Sequence, residues 1–328
     1  MAANLYDHLI KPLGIKPQET GVSREKYSAA NSGPETSHGV WIDGKDGLEG
    51  IDLSFAWEYH DGLGEWYQDK SPRVHPYPVV MFFVGLDTAA INYLGADIEC
   101  CLGEAMEPHS FSEPTVVVVP TGVPYGPVTT RRMYSPRGFA CYVAALAPSH
   151  RSDPASGKGT DSGGQSDYSR LVKPLKDNII IQRKQFTAKR SEYGRQPAAG
   201  ESGMILGPGN ADHLAWMYGE DLEGLEVNLD WGFFSSPGLW HRGLSTHTHS
   251  VDEILVFVGT DPSRSDSLGA EIEIDLGSEH ERHLVTEPSI IVCPAGLPHG
   301  PFVTNWVDRL FAFFSINLSG KPEMTWDD

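Results

Sequence analysis

The feature that most constrains this chain is that it repeats itself. Leu48-Glu49-Gly50 recurs as Leu222-Glu223-Gly224, Trp57 as Trp231, Gly64 as Gly238, Trp66 as Trp240, and Phe83-Val84-Gly85 as Phe257-Val258-Gly259, always 174 residues apart. The same offset of 174 holds for Leu94-Gly95-Ala96 against Leu268-Gly269-Ala270 and for Pro120, Gly122 and Gly126 against Pro294, Gly296 and Gly300. A constant spacing over this length marks an internal duplication. Upstream, Tyr6, Leu9 and Lys11-Pro12-Leu13 answer Tyr168, Leu171 and Lys173-Pro174-Leu175 at an offset of 162, so small insertions separate the two blocks. Each repeat runs to about 160 residues, the size of a domain rather than of a solenoid unit. With 328 residues and 40% hydrophobic content the chain can fill two ordinary cores. The expected organisation is a first domain over 1–148, a linker over 149–167 rich in Ser, Gly and Asp, and a second domain over 168–328.

Within each copy the pattern is β. Segments such as Glu253–Gly259, Ala270–Leu276 and Arg309–Ile316 are short, rich in β-branched and aromatic residues, and punctuated by Gly, Pro and Asp. Ala270–Leu276 alternates as a strand with one wet face should. No long helical period stands out, although Tyr6–Leu13 allows a short helix. Two all-β barrels or sandwiches are expected.

Charge excludes some partners. The formal net charge is −19 without a Lys/Arg cluster to offset it, which disfavours a nucleic-acid backbone or an anionic membrane. No apolar run approaches the ~20 residues of a membrane span, and the opening MAANLYDHLIKPLGIKP lacks the pattern of a secretory signal, so a cytoplasmic location is expected. Cys100, Cys101, Cys141 and Cys293 show no CxxC spacing and read as core residues of a reducing compartment.

One constellation carries chemistry. In His247-Thr-His249-Ser-Val-Asp-Glu253 the two imidazoles are two residues apart, which on a strand places both on one face. Glu253 shares that parity if the strand runs on. Far along the chain, Pro294-Ala-Gly296-Leu-Pro-His299 has the turn formers to aim a third imidazole inward. Three imidazoles and one carboxylate suit one divalent Fe, Mn, Ni, Co or Zn ion, and a six-coordinate ion would keep two positions open.

The HxHxxxE spacing followed by Gly259, then PxGxxH, resembles the two motifs of the cupin superfamily, and the duplication resembles the bicupins. The resemblance implies tandem jelly-roll β-barrels with a metal inside the second, held by His247, His249, Glu253 and His299. The leading Gly of the first motif lies closer to the His pair than usual, at Gly243, and the Asn that often follows the last His has no counterpart. Shifting the four ligand positions back by 174 gives Arg73, His75, Val79 and Tyr125. Only His75 survives, so no tight metal site is expected there. The degenerate copy is expected to serve in packing, with a small anion at Arg73, His75 and Tyr125 as the alternative.

Around the motifs, Trp240, Arg242 and Phe302 are candidates to line a substrate cavity, Arg242 as a bidentate carboxylate clamp. His241 and His283 are candidate proton carriers beside Glu253. His283 persists in the first copy as His109, which favours a structural hydrogen bond for it. The resemblance implies an enzyme acting on a small oxygenated molecule. Flanking aromatics (Trp231, Trp240, Phe257, Phe302) favour dioxygenase chemistry; an oxygen-independent lyase, decarboxylase or isomerase is the alternative, and a non-catalytic small-molecule binder the third. A homo-oligomer is compatible with all three.

Overall fold

Strict alternation or continuous burial over seven-residue runs leaves each segment only one use, as a strand against a core. A computed structural model of the chain describes residues 4–13, 39–66, 72–87, 90, 92–149, 151, 153–155, 167–175, 180–182, 211–240, 246–264, 266–321 and 324–326. Most of the expected linker (150, 152 and 156–166) lies outside the described residues. Among the described residues every strand pairing is antiparallel, and these residues form two compact units.

The units cross the repeat boundary. One comprises Met1–Gly14 with Lys176–Asp328, and the other comprises Ile15–Leu175. The cause is a pair of exchanged arms. Ile10–Pro12 belongs by sequence to the first copy, yet it pairs as an edge strand with Ser289–Cys293. Its counterpart Val172–Pro174 pairs with Thr115–Val119 of the other unit. The short helix allowed by the sequence is one 3-10 turn, Asp7–Leu9, because the following residues are taken up by the sheet. Pro12 and Pro174 are tolerated there because an edge strand has a side that needs no donor.

In the first unit one sheet runs Ile10–Pro12, Ser289–Cys293, Glu253–Gly259, Phe311–Asn317, Asn228–Phe234, His213–Met217, Ile180–Gln182. The second runs Glu281–Val285, Ala270–Leu276, His299–Val307, His247–Thr248, Thr325–Trp326, with Gly238–Leu239 paired to His299–Val307. Alternate residues of both sheets meet in one core that includes Leu255, Phe257, Ile272, Ile274, Phe302 and Phe313. Burying each such side chain stabilises the fold by roughly 1.5–3 kcal/mol. The other unit repeats this plan around Met81, Phe83, Ile98, Val117 and Tyr125. All four cysteines are free and buried, and burial pushes the Cys100 thiol up to about 12.

The arms dock in the same way in both units. Gly277 turns at φ +74, where a Cβ would fall 2.3 Å from the Tyr6 ring; Gly103 turns at φ +76, where a Cβ would fall 2.2 Å from the Tyr168 ring. Beside Tyr6, the backbone N–H groups of Leu5 and Tyr6 donate to the Glu281 carboxylate at 2.8 and 3.1 Å.

Candidate metal centre

Parity places the first ligand. Glu253 shares a strand face with Leu255 and Phe257, both in the core, so its carboxylate points into the barrel. The opposite sheet supplies the imidazoles. His247 lies directly across from His299 in register, and their rings are 4.2 Å apart between centroids. His249 follows two residues on, with its ring 5.1 Å from that of His247 and 5.3 Å from that of His299. The turn that carries His299 is tied to the first motif: Ala295 N–H donates to Asp252 Oδ1 at 2.9 Å, and Gly296 N–H donates to the His249 carbonyl at 2.8 Å.

His247, His249, Glu253 and His299 thus converge, with one donor atom from each lying within 4.8 Å of the others. All four are buried. Glu253 Oε2 is 2.8 Å from His299 Nε2 and 3.2 Å from His249 Nε2. Glu253 Oε2 and His299 Nε2 lie 2.8 Å apart as an ion pair without hydrogen-bond geometry, so both atoms border the same buried space. Two buried donor atoms so arranged fit a cation between them. His299 Nδ1 donates to the Leu297 carbonyl at 3.0 Å, which leaves the Nε2 lone pair for the centre. The donor set fits a divalent transition metal.

Electrostatics agree. Burial would raise the Glu253 carboxyl, but the imidazoles of His249 and His299 outweigh it and hold the carboxyl well below its ordinary range. Burial disfavours a charged His299, but Cys293 and Glu253 outweigh it and raise its proton affinity well above the ordinary value. The cluster therefore attracts positive charge, and a metal there would displace the proton.

Sequence reasoning missed a polar row behind Glu253. The Ser315 hydroxyl donates to Glu253 Oε1 at 2.6 Å, and the Asn317 amide donates to the same oxygen at 3.2 Å. One strand further, Asn228 lies 3.5 Å from the Asn317 amide, and Asp230 Oδ1 accepts the Ser315 backbone N–H at 3.1 Å. Asp230 is partly buried, and desolvation, reinforced by Glu253, pushes its carboxyl up to about 8. A run of polar residues on the core face of strands was the available signal.

The remaining candidates fall in several places. Phe302 packs against the centre, its ring 6.2 Å from that of His299. Trp240 stacks on Phe234 at 4.0 Å, and its indole N–H donates to Thr304 Oγ1 at 2.7 Å. Trp66 and Thr130 repeat that bond at 2.9 Å in the other unit, so it serves the fold in both. His283 sits apart on the edge strand Glu281–Val285, with Nε2 3.0 Å from Glu281 and Nδ1 3.3 Å from Asp7. That is the place where the N-terminal arm docks. His109 faces Glu107 at 3.6 Å in the same position of the other unit. His241, Arg242 and Gly243 lie outside the described residues.

In the other unit, Arg73, His75 and Tyr125 are buried in the equivalent positions. His75 Nδ1 donates to the Arg151 carbonyl at 2.7 Å, so its Nε2 accepts from the Tyr125 hydroxyl at 3.0 Å. Burial pushes that imidazole below its ordinary value.

No protein-family model matches the sequence, and no curated protein matches it. Solved structures do match in fold. A mutant of Bacillus subtilis oxalate decarboxylase superposes with a TM-score of 0.52 at 8% identity, over 88% of this chain and 74% of that one. A Lactobacillus farciminis oxalate decarboxylase formate complex gives 0.52 at 8% identity, over 88% of this chain and 82% of that one. Both are two-domain cupins, and at such identity the likeness fixes the architecture: tandem cupin β-barrels.

Proposed function

We propose that this protein is a metal-dependent bicupin enzyme in which one barrel holds a single divalent transition metal and acts on a small oxygenated substrate. The observation that carries the proposal is the convergence of four buried donors, His247, His249, Glu253 and His299, at one point. A bound divalent ion would supply Lewis acidity toward a substrate oxygen. The chain's own residues do the rest. The three imidazoles are neutral donors, Glu253 provides the one negative charge, and Phe302 gives the cavity beside His299 an apolar wall.

Of the reaction classes, oxygen-independent decarboxylase or lyase chemistry gains the most support. The solved structures that share the fold include oxalate decarboxylases, one of them described for its Mn(II) centres. The aromatic case for a dioxygenase is thinner than the sequence suggested. Trp231 alternates with Asp230, on the strand face away from Glu253, and Trp240 has a fold-bearing counterpart in Trp66. Small carboxylates and hydroxy acids are the first substrates to test, with catechols and enediols as the oxygen-dependent comparison. Turnover of a carboxylate with CO2 release in the absence of oxygen supports this reading; turnover that needs and consumes oxygen replaces it with the dioxygenase one.

A further inference from the structure

Glu253 has two oxygens, and the protein treats them differently. Oε2 faces His249 and His299 without a hydrogen bond, whereas Oε1 accepts from both Ser315 and Asn317. Two donors saturate the usual capacity of a carboxylate oxygen. The arrangement follows from register. Glu253, Asn317 and Asn228 form one row across three neighbouring strands, and Leu255, Ser315 and Asp230 form the next.

The equivalent rows in the other unit are Val79, Ala145, Ser54 and Met81, Val143, Ala56. Five of these, Val79, Ala145, Met81, Val143 and Ala56, belong to its apolar core cluster. Thus where the carboxylate is gone, its supports are gone too. Ser54 shows which part of the row serves the fold alone: its hydroxyl donates to the Ala147 carbonyl at 2.9 Å, as the Asn228 amide donates to the Ser319 carbonyl at 2.9 Å. That bond persists without a ligand glutamate. The bonds to Oε1 do not.

We infer that Ser315 and Asn317 are positioning residues for the metal centre: they pin Oε1 of Glu253 so that the carboxylate offers the metal one oxygen, Oε2, from a fixed direction. The inference rests on the metal reading above. Asn228 and Asp230 brace the pair from the next strand. A carboxylate freed from these donors can rotate or offer both oxygens, which changes coordination number as well as affinity.

The test uses the full chain and Co(II), whose visible spectrum reports coordination. Wild-type protein, Ser315→Ala, Asn317→Ala, the double variant and Ser315→Thr are freed of metal, checked for folding by thermal melts, and titrated with Co(II). The wild type is expected to take one equivalent. The double variant is expected to bind 10- to 100-fold more weakly, the usual cost of losing such support, with a changed spectrum. Ser315→Thr, which keeps the hydroxyl on a strand, is expected to behave as wild type. If the double variant does not fold, the two single variants decide by the same criteria. A folded variant lacking these donors that binds Co(II) with wild-type affinity and spectrum overturns the inference while leaving the metal reading intact. Absence of Co(II) binding by the wild type overturns the metal reading itself.

Discussion

Glu253 and Val79 occupy the same register position in the two units, Glu253 opposite Asn317 and Val79 opposite Ala145. The chain therefore contains its own control: one barrel in which a buried carboxylate is supported by Ser315 and Asn317, and one in which the carboxylate and both supports are replaced by Val79, Val143 and Ala145.

Placing a carboxylate in the second setting is expected to be costly. In Val79→Glu the new group would face Ala145 and lie near Val143, neither of which offers a side-chain donor. Even with the buried Arg73 at the position equivalent to His247 as a counter-charge, a carboxylate without these donors is expected to destabilise by about 1–3 kcal/mol. Urea denaturation should show this loss, and adding Val143→Ser and Ala145→Asn should recover part of it. Unchanged stability in the single variant would mean that the barrel tolerates a carboxylate without these supports.

Asp230 gives the metal-free protein a pH dependence with a definite sign. Its carboxyl is raised from 3.8 to about 8, with burial the larger cause and Glu253 the second. A group whose folded value lies above its unfolded value contributes its full stability below about pH 4, and the contribution is lost as pH rises toward about 8. Asp230→Asn keeps an oxygen for the Ser315 N–H and removes the titration. In chelator, the variant should match wild type at acid pH and exceed it by several kcal/mol at pH 8. A gap that does not grow with pH would contradict a protonated Asp230.

The arm makes a prediction about the N-terminus. Ile10–Pro12 covers the edge of Ser289–Cys293, and that strand leads directly into the turn carrying His299. Deleting residues 1–13 removes these backbone bonds and the contacts of Tyr6 with Gly277 and of Asp7 with His283. The midpoint of thermal unfolding should fall by several degrees, on the scale of about 2–4 °C per kcal/mol for a unit of this size, and metal affinity should fall with it. Retention of wild-type melting and metal affinity would show the arm to be dispensable.

The sequence made the duplication, the β architecture and the four-ligand cluster legible, because each leaves a local mark: a fixed offset, a period of two, an HxHxxxE and a PxGxxH spacing. It hid the arms, since Ile10–Pro12 and Val172–Pro174 look like the start of their own copies and only long-range pairing reveals the exchange. It also hid Ser315 and Asn317. The loop between the last two strands spans 134–138 in one unit and 308–310 in the other, so Phe139 answers Phe311 at an offset of 172 rather than 174. Past that point the repeat no longer reads in register, and Ser315 and Asn317 cannot be matched to Val143 and Ala145 by counting. Single residues such as Trp240 and His283 were the least legible. Proximity to a motif says little about which way a side chain points.

Metal content per chain tests the single buried centre most directly. Protein purified without chelators, or stripped and reloaded, should carry one equivalent of a divalent transition metal by elemental analysis. His299→Ala and His247→Ala should lose it, because each removes a donor from the buried cluster. His75→Ala should keep it, because His75 is bound to Tyr125 and the Arg151 carbonyl in the unit without the carboxylate. Two equivalents per chain, or full occupancy in His299→Ala, would contradict a single centre built from His247, His249, Glu253 and His299.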